Sequence, residues 1–363
     1  MTQRVVVSGV QFALGALVAG AWVGPAFAQS CETISGDGAL HVAVEVQGHV
    51  NVRRKEWRGG VAPVMLGTTL HRGDFLEPEG SSGVKVVCAD LTVGKVTRRD
   101  GVPCAVSKPV MRWIDGAAIS PLRNFTTFLP MVISPRKTKL LNPHPTLRWR
   151  AVEGAPGYTI QVRGLNLSWE TKVRSAEAMV YPRDAPPLKA GKSYKLIVVP
   201  TGRLPDDDDP GLGFTMLSAE ESKMTGREEE RIRRLGLPEA PTRLLVAHLY
   251  ASHCLYAEAI QWLDDLPKDL NEPAPARLLG DLYVFTDLLQ LGETRYLEAL
   301  DFSRKLKDTE GEALAHRSLE RIYRATGKKA QALEHLKRAL ALSKMLGDDK
   351  RVEELETKLK SSK

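Results

Sequence analysis

The chain has 363 residues, 51 of them Lys or Arg and 44 Asp or Glu, for a net charge of +7, and 43% of it is hydrophobic. That length is too great for one hydrophobic core and sets an expectation of two to three domains. Residues 29–140 hold 15 basic and 10 acidic side chains, 141–218 hold 10 and 8, and 219–363 hold 25 and 26, so the basic excess sits at the front, on a surface suited to an anionic envelope polymer or lipid.

Arg4 is the only charge before residue 32 and precedes VVVSGVQFALGALVAGAWVGPAFA. The run is nearly the length of a bilayer span, about 20 residues. Gly24-Pro25 breaks it just ahead of Ala26-Phe27-Ala28, the small-x-small pattern of a signal-peptidase site. Residues 1–28 therefore read as a cleaved signal peptide, with retention as an anchor the alternative. The expected location is the periplasm or cell envelope, with no later transmembrane span. Nucleic acid is excluded as a partner by export and by the lack of an aromatic-basic stripe. In an oxidising compartment Cys88 and Cys104 are the natural disulfide pair, and closing so short a loop contributes about 3 kcal/mol. Cys254 falls in a helical pattern and reads as a buried free thiol.

Residues 38–115 are β-rich. In LHVAVEVQGHVNVRR, apolar residues alternate at Leu40, Val42, Val44 and Val46, then at Val50 and Val52 after Gly48, which predicts a half-buried strand pair. VKVVCADLTVGKV (84–96) is a second β stretch, and Gly59-Gly60, Gly67, Gly73, Gly80 and Gly83 punctuate the interval. The opening from Gly48 to Arg54, followed by LGTTLHRGDFLEPEGSSGVKVVCAD, resembles the FecR family domain over about 60 residues. In that frame Gly73-Asp74 is a turn, with Asp accepting backbone hydrogen bonds and Gly free to take positive φ. Arg72-Gly73-Asp74 is then no adhesion motif. Glu77 and Glu79, separated by Pro78, are expected at a solvated edge rather than in a catalytic cluster with Asp74.

A linker is expected over 116–133 and an all-β sandwich over 134–218, where short alternating segments are separated by Pro/Gly turns. Trp149 on an early strand, the alternating run Tyr158–Val162, and Leu188 spaced six residues from Tyr194 resemble the fibronectin type III domain. That resemblance implies a core tryptophan and a tyrosine corner at Tyr194, although Ala190-Gly191 stands where the family has its corner proline. Asp206–Asp209 lacks an alternating calcium-ligand pattern and reads as a solvated loop.

From 219 the chain is helical: a helical linker over 219–240, then 241–363. Tyr250 and Ala259 are nine apart, as are Tyr323 and Ala332. These segments resemble tetratricopeptide repeats, with Gly327 as a turn glycine. For the middle copy, Tyr283 lies 33 beyond Tyr250, and Ala299 lies 33 before Ala332. Tyr283 and Ala299 are 16 apart, which leaves two options: both middle helices are a turn longer, or an insertion sits near Leu291-Gly292. A helix over roughly 349–361 is expected to cap the stack.

The fold class is therefore multi-domain β + α. No catalytic, cofactor or metal motif stands up. AGKSY lacks the P-loop's first glycine, Ser134-Pro135-Arg136-Lys137 lies in an extended segment, and His248 and His253 do not share a helical face. The expected function is a non-enzymatic envelope scaffold that binds a protein partner through its helices. Alternatives are a FecR-type signalling component or a cell-wall polysaccharide binder. The candidate partner-binding positions are Arg243, His248, His253, Asp281, Asp287, Arg317 and Arg321.

Overall fold

The computed structural model describes residues 38–105, 108–112, 130–174, 176–202, 212–267 and 269–361. The signal segment, most of the 116–133 linker and Asp206–Asp209 lie outside the described residues. No described helix is long and apolar enough to cross a membrane.

The first unit contains β1 (His41–Gln47), β2 (Val50–Arg53), β3 (Ala62–Pro63), β4 (Thr69–Leu70), β5 (Phe75–Pro78), β6 (Gly83–Val87), β7 (Val93–Val96) and β8 (Asp100–Gly101). They form two antiparallel four-stranded sheets, ordered β4-β1-β6-β7 and β3-β2-β5-β8. The expected strand pair around Gly48 is thus corrected to two strands in different sheets, because Gly48, at φ +72°, turns the chain from one sheet to the other. Strand β1 is also more buried than half. Ala43 joins the core between the sheets, while Leu40, Val42 and Val44 pack into a cluster shared with the helices. Cys88 and Cys104 are disulfide-bonded.

The second unit is a β-sandwich of β9 (Met131–Ser134), β10 (Thr138–Leu140), β11 (Thr146–Arg150), β12 (Tyr158–Gly164), β13 (Leu167–Val173), β14 (Ala178–Val180), β15 (Ser193–Pro200) and β16 (Leu212–Met216). Sheet β14-β11-β9 faces sheet β10-β16-β15-β12-β13, with β10 and β16 parallel. Trp149 is 1% exposed in the core between them and meets Tyr158 edge-on. The Tyr194 hydroxyl accepts the Lys189 N–H at 2.7 Å while its ring is buried. Gly191, at φ +69°, lies in the turn that this bond closes.

Among the described residues eight helices follow: α1 (Ala219–Arg233), α2 (Glu239–Ser252), α3 (Tyr256–Asp264), α4 (Pro273–Phe285), α5 (Leu289–Lys305), α6 (Thr309–Ala325), α7 (Lys329–Leu346) and α8 (Asp349–Ser361). Ser218 and Glu221 close a capping box at the start of α1. More than a linker, α1 packs on α2, where Glu229 accepts from the Tyr250 hydroxyl at 2.6 Å. Glu293 of α5 does the same for Tyr323 at 2.8 Å, so α1 stands where a preceding repeat's second helix would.

The repeat register needs one correction. Counting nine from Tyr283 reaches Gly292, which takes the place of Ala259 and Ala332. A Cβ there would lie 3.0 Å from Val284 and 3.2 Å from the Gly280 carbonyl, so α4 and α5 approach closely enough here that any side chain would press on them. Ala299, sixteen from Tyr283, corresponds instead to Ala339, sixteen from Tyr323, and both are buried. There is no insertion at Leu291-Gly292. The extra length lies in α5 and α6, each of 17 residues, whereas α4 has 13.

Candidate partner-binding face of the helical array

Two columns of side chains follow from the tyrosine register. Two residues before each tyrosine stand His248, Asp281 and Arg321; six before stand Leu244, Arg277 and Arg317. Each pair within a helix is four apart and shares a face. The columns run across α2, α4 and α6, the first helices of the three pairs.

At the α2 end the face is covered by the first β unit. Leu244 is fully buried and His248 is 8% exposed. A Cβ on Gly67 would lie 2.9 Å from both Leu244 and Ala274, so the turn after β3 seats directly on α2 and α4. Burial, helped by the nearby Arg277 charge, pushes the His248 imidazole down to about 3. It is a neutral core histidine.

The cover is clamped by Arg54, a residue that local pattern did not single out. Its Nε and Nη2 donate to Glu310 of α6 at 2.9 and 2.7 Å, and Nη1 donates to Asp74 at 2.6 Å and to the Thr69 carbonyl at 2.9 Å. Burial opposes this charge, but Glu310 and Asp74 outweigh it and raise the guanidinium further above its ordinary range. Asp74 also accepts the His71 N–H and is 2% exposed, so no adhesion loop is presented. Glu77 is ion-paired with Arg53 and Arg99 rather than simply solvated, and Glu79 accepts from Asn51. Beyond the clamp, the Arg58 N–H donates to the Gly347 carbonyl at 2.9 Å and its side chain pairs with Asp349.

From α4 onward the columns are only partly buried and become cationic. Arg277 lies 3.8 Å from Asp281, which accepts from the Tyr296 hydroxyl at 2.6 Å. Arg321 acts on the same tyrosine. On the far side, Glu320 takes Arg324 at 2.9 Å and lies 3.9 Å from Lys358 of α8. Burial lowers the Lys358 ammonium, and the adjacent positive charges of Arg324, Arg317 and Arg321 add to that, against Glu320. The strip from Arg277 to Lys358 holds five cations (Arg277, Arg317, Arg321, Arg324, Lys358) with Asp281 and Glu320 among them, and Arg277, at its covered end, also lines the cavity that holds Arg54, Asp308 and Glu310. It does so within a segment, 219–363, whose 25 basic and 26 acidic side chains nearly balance as a whole.

Three expected positions lie elsewhere. Asp287 is a turn residue: with Cys254 and Gly327 it stands four beyond its tyrosine, and all three have positive φ. It pairs with Lys137 of the sandwich. His253 contacts Glu228 of α1 at 2.8 Å. Arg243 borders an open cleft of about 670 Å³, where it and Arg233 stack on Trp262 at 5.5 and 5.1 Å. Cys254 is disulfide-bonded, which corrects the free-thiol expectation.

The sandwich docks on the same turns. The Cys254 carbonyl accepts from the Lys139 N–H at 2.9 Å, and Glu258 at the start of α3 accepts from the Leu141 N–H at 2.8 Å. Arg136, 4% exposed, donates to the carbonyls of Thr286 and Val132. The one site among the described residues where three His, Cys or acidic groups converge is His41 with Cys88 and Cys104. Its sulfurs are joined to each other, and His41 Nδ1 accepts from the Ala89 N–H, so it offers no open ligand set.

No curated protein matches the chain. Residues 272–345, from α4 through α7, match the tetratricopeptide repeat family, and this part of the helical array is therefore a tetratricopeptide-type repeat segment of the kind associated with protein–protein interaction.

Proposed function

We propose that the protein is a non-enzymatic scaffold or adaptor of the cell envelope that holds an acidic segment of a protein partner along the strip from Arg277 to Lys358. The observation that carries this is the excess of cations on partly exposed first-helix positions of a repeat array, where charge complementarity sets orientation and specificity. The Gly48–Arg54 opening and the Tyr194 corner support reading the two β units as FecR-like and fibronectin type III-like supports. The signal-like N-terminus and the Cys88–Cys104 bond support export.

A fluorescently labelled oligoglutamate peptide tests the charge requirement. It is expected to bind the full chain at low salt, to weaken as salt is added, and to lose about tenfold or more in affinity in Arg317→Glu/Arg321→Glu. Binding that survives this variant but is lost in Lys95→Glu/Arg98→Glu would place anion recognition on the first β unit. That would favour a wall-polymer role instead.

A further inference from the structure

Strand β13, seven residues long, ends its five-stranded sheet, and among the described residues no strand pairs with its outer edge. The hydrogen-bond parity of the sheet fixes which backbone groups face outward. The Thr201 N–H donates to the Gly157 carbonyl at 2.8 Å, so odd-numbered residues of β12 bond toward β15. Pro200, which has no N–H, accordingly sits at the non-bonded pair opposite Tyr158. The even-numbered residues of β12 therefore bond β13, through its partners Leu167, Trp169, Thr171 and Val173. This leaves the N–H and C=O groups of Ser168, Glu170 and Lys172 directed away from the sheet.

We propose that this edge pairs antiparallel with β13 of a second copy about a twofold axis through Thr171, making one continuous sheet across a homodimer. Only outward-facing residues can form the bonded pairs, so the axis must pass through a residue of β13, and charge decides which one. An axis through Glu170 sets glutamate against glutamate, and one through Lys172 sets lysine against lysine. The axis through Thr171 sets Glu170 opposite Lys172 of the second copy, twice, in bonded pairs, with no like charges opposed. The same register lays half-buried Trp169 beside Val173 of the second copy, twice. A charged edge strand ordinarily repels its own copy. Here the alternation Glu170-Thr171-Lys172 is self-complementary in one register and in no other that keeps the charges central. Such a dimer would present two helical arrays to one partner assembly, raising avidity without new contacts.

Sedimentation velocity on the purified full chain, disulfides formed, is expected to show a concentration-dependent monomer–dimer equilibrium. Glu170→Lys and Lys172→Glu should each raise the dimer dissociation constant by about tenfold or more, and the double variant should restore it. Both side chains are exposed, although Glu170 also accepts from the buried Gln161 amide at 2.8 Å, so circular dichroism of each variant, with Lys172→Glu as the one that leaves that bond intact, should show the fold retained. Thr171→Cys on the axis should give a covalent dimer under mild oxidation, while Ser168→Cys should not. A chain that stays monomeric at every concentration, or a dimer indifferent to the single charge reversals, would overturn the proposal.

Discussion

Arg54 ties the first β unit to the helical array through one buried guanidinium. It is buried and joins Asp74 of its own unit to Glu310, 256 positions further along the chain. Removing it leaves the Asp74 carboxylate buried without its partner and the partly exposed Glu310 unpaired, so Arg54→Ala should destabilise the fold by about 3 kcal/mol, seen as a lower urea midpoint by far-ultraviolet circular dichroism. Glu258 gives a second, pH-dependent handle. Burial pushes its carboxyl up to about 7, only partly offset by the Leu141 and Asn142 N–H groups, and its Oε2 has no hydrogen-bond partner. The folded state then holds a proton that the unfolded state releases above about 4.5. The stability this contributes is complete below that value and is lost as pH rises through about 7. Glu258→Gln should flatten the stability-versus-pH curve over that window, and an unchanged slope would place the titration elsewhere.

At the scale of elements, the repeat was readable from tyrosines and small residues because close helix pairing demands them at fixed offsets. What misled the count was helix length. A uniform 33-residue step from Ala332 lands on Ala299, yet the second and third tyrosines are 40 apart because α5 and α6 each run 17 residues. Period two located β1 and β2, but not that they enter different sheets, since alternation says nothing about which neighbour a strand finds. Arg54 was invisible for a similar reason: its partner is set by how a β unit docks on helices. Gly292 and Gly226 separate packing from propensity. Gly292→Leu should cost about 1–3 kcal/mol by forcing α4 and α5 apart. Gly226→Ala, in α1 with nothing within 4 Å of its would-be Cβ, should add roughly 0.5–1 kcal/mol. Both are checked by chemical denaturation. Reducing the Cys88–Cys104 bond should cost about 3 kcal/mol in the first β unit.

At the scale of the whole molecule, both β units are supports built against one helical array. The first covers α2 and clamps α6. The second seats on the turns at Cys254 and Thr286. Between the clamp and α8 the array keeps a cationic strip partly open, where the proposed partner would be held. Bulk charge pointed to the front of the chain, because it sums residues without regard to the face they share. A photo-crosslinking side chain placed in turn at positions 317, 321 and 98 in cells making the full chain tests this most directly. The account predicts a covalent adduct with one protein from 317 and 321, lost when Arg277 is reversed to Glu, and none from 98. Adducts from 98 with none from 317 or 321 would contradict it.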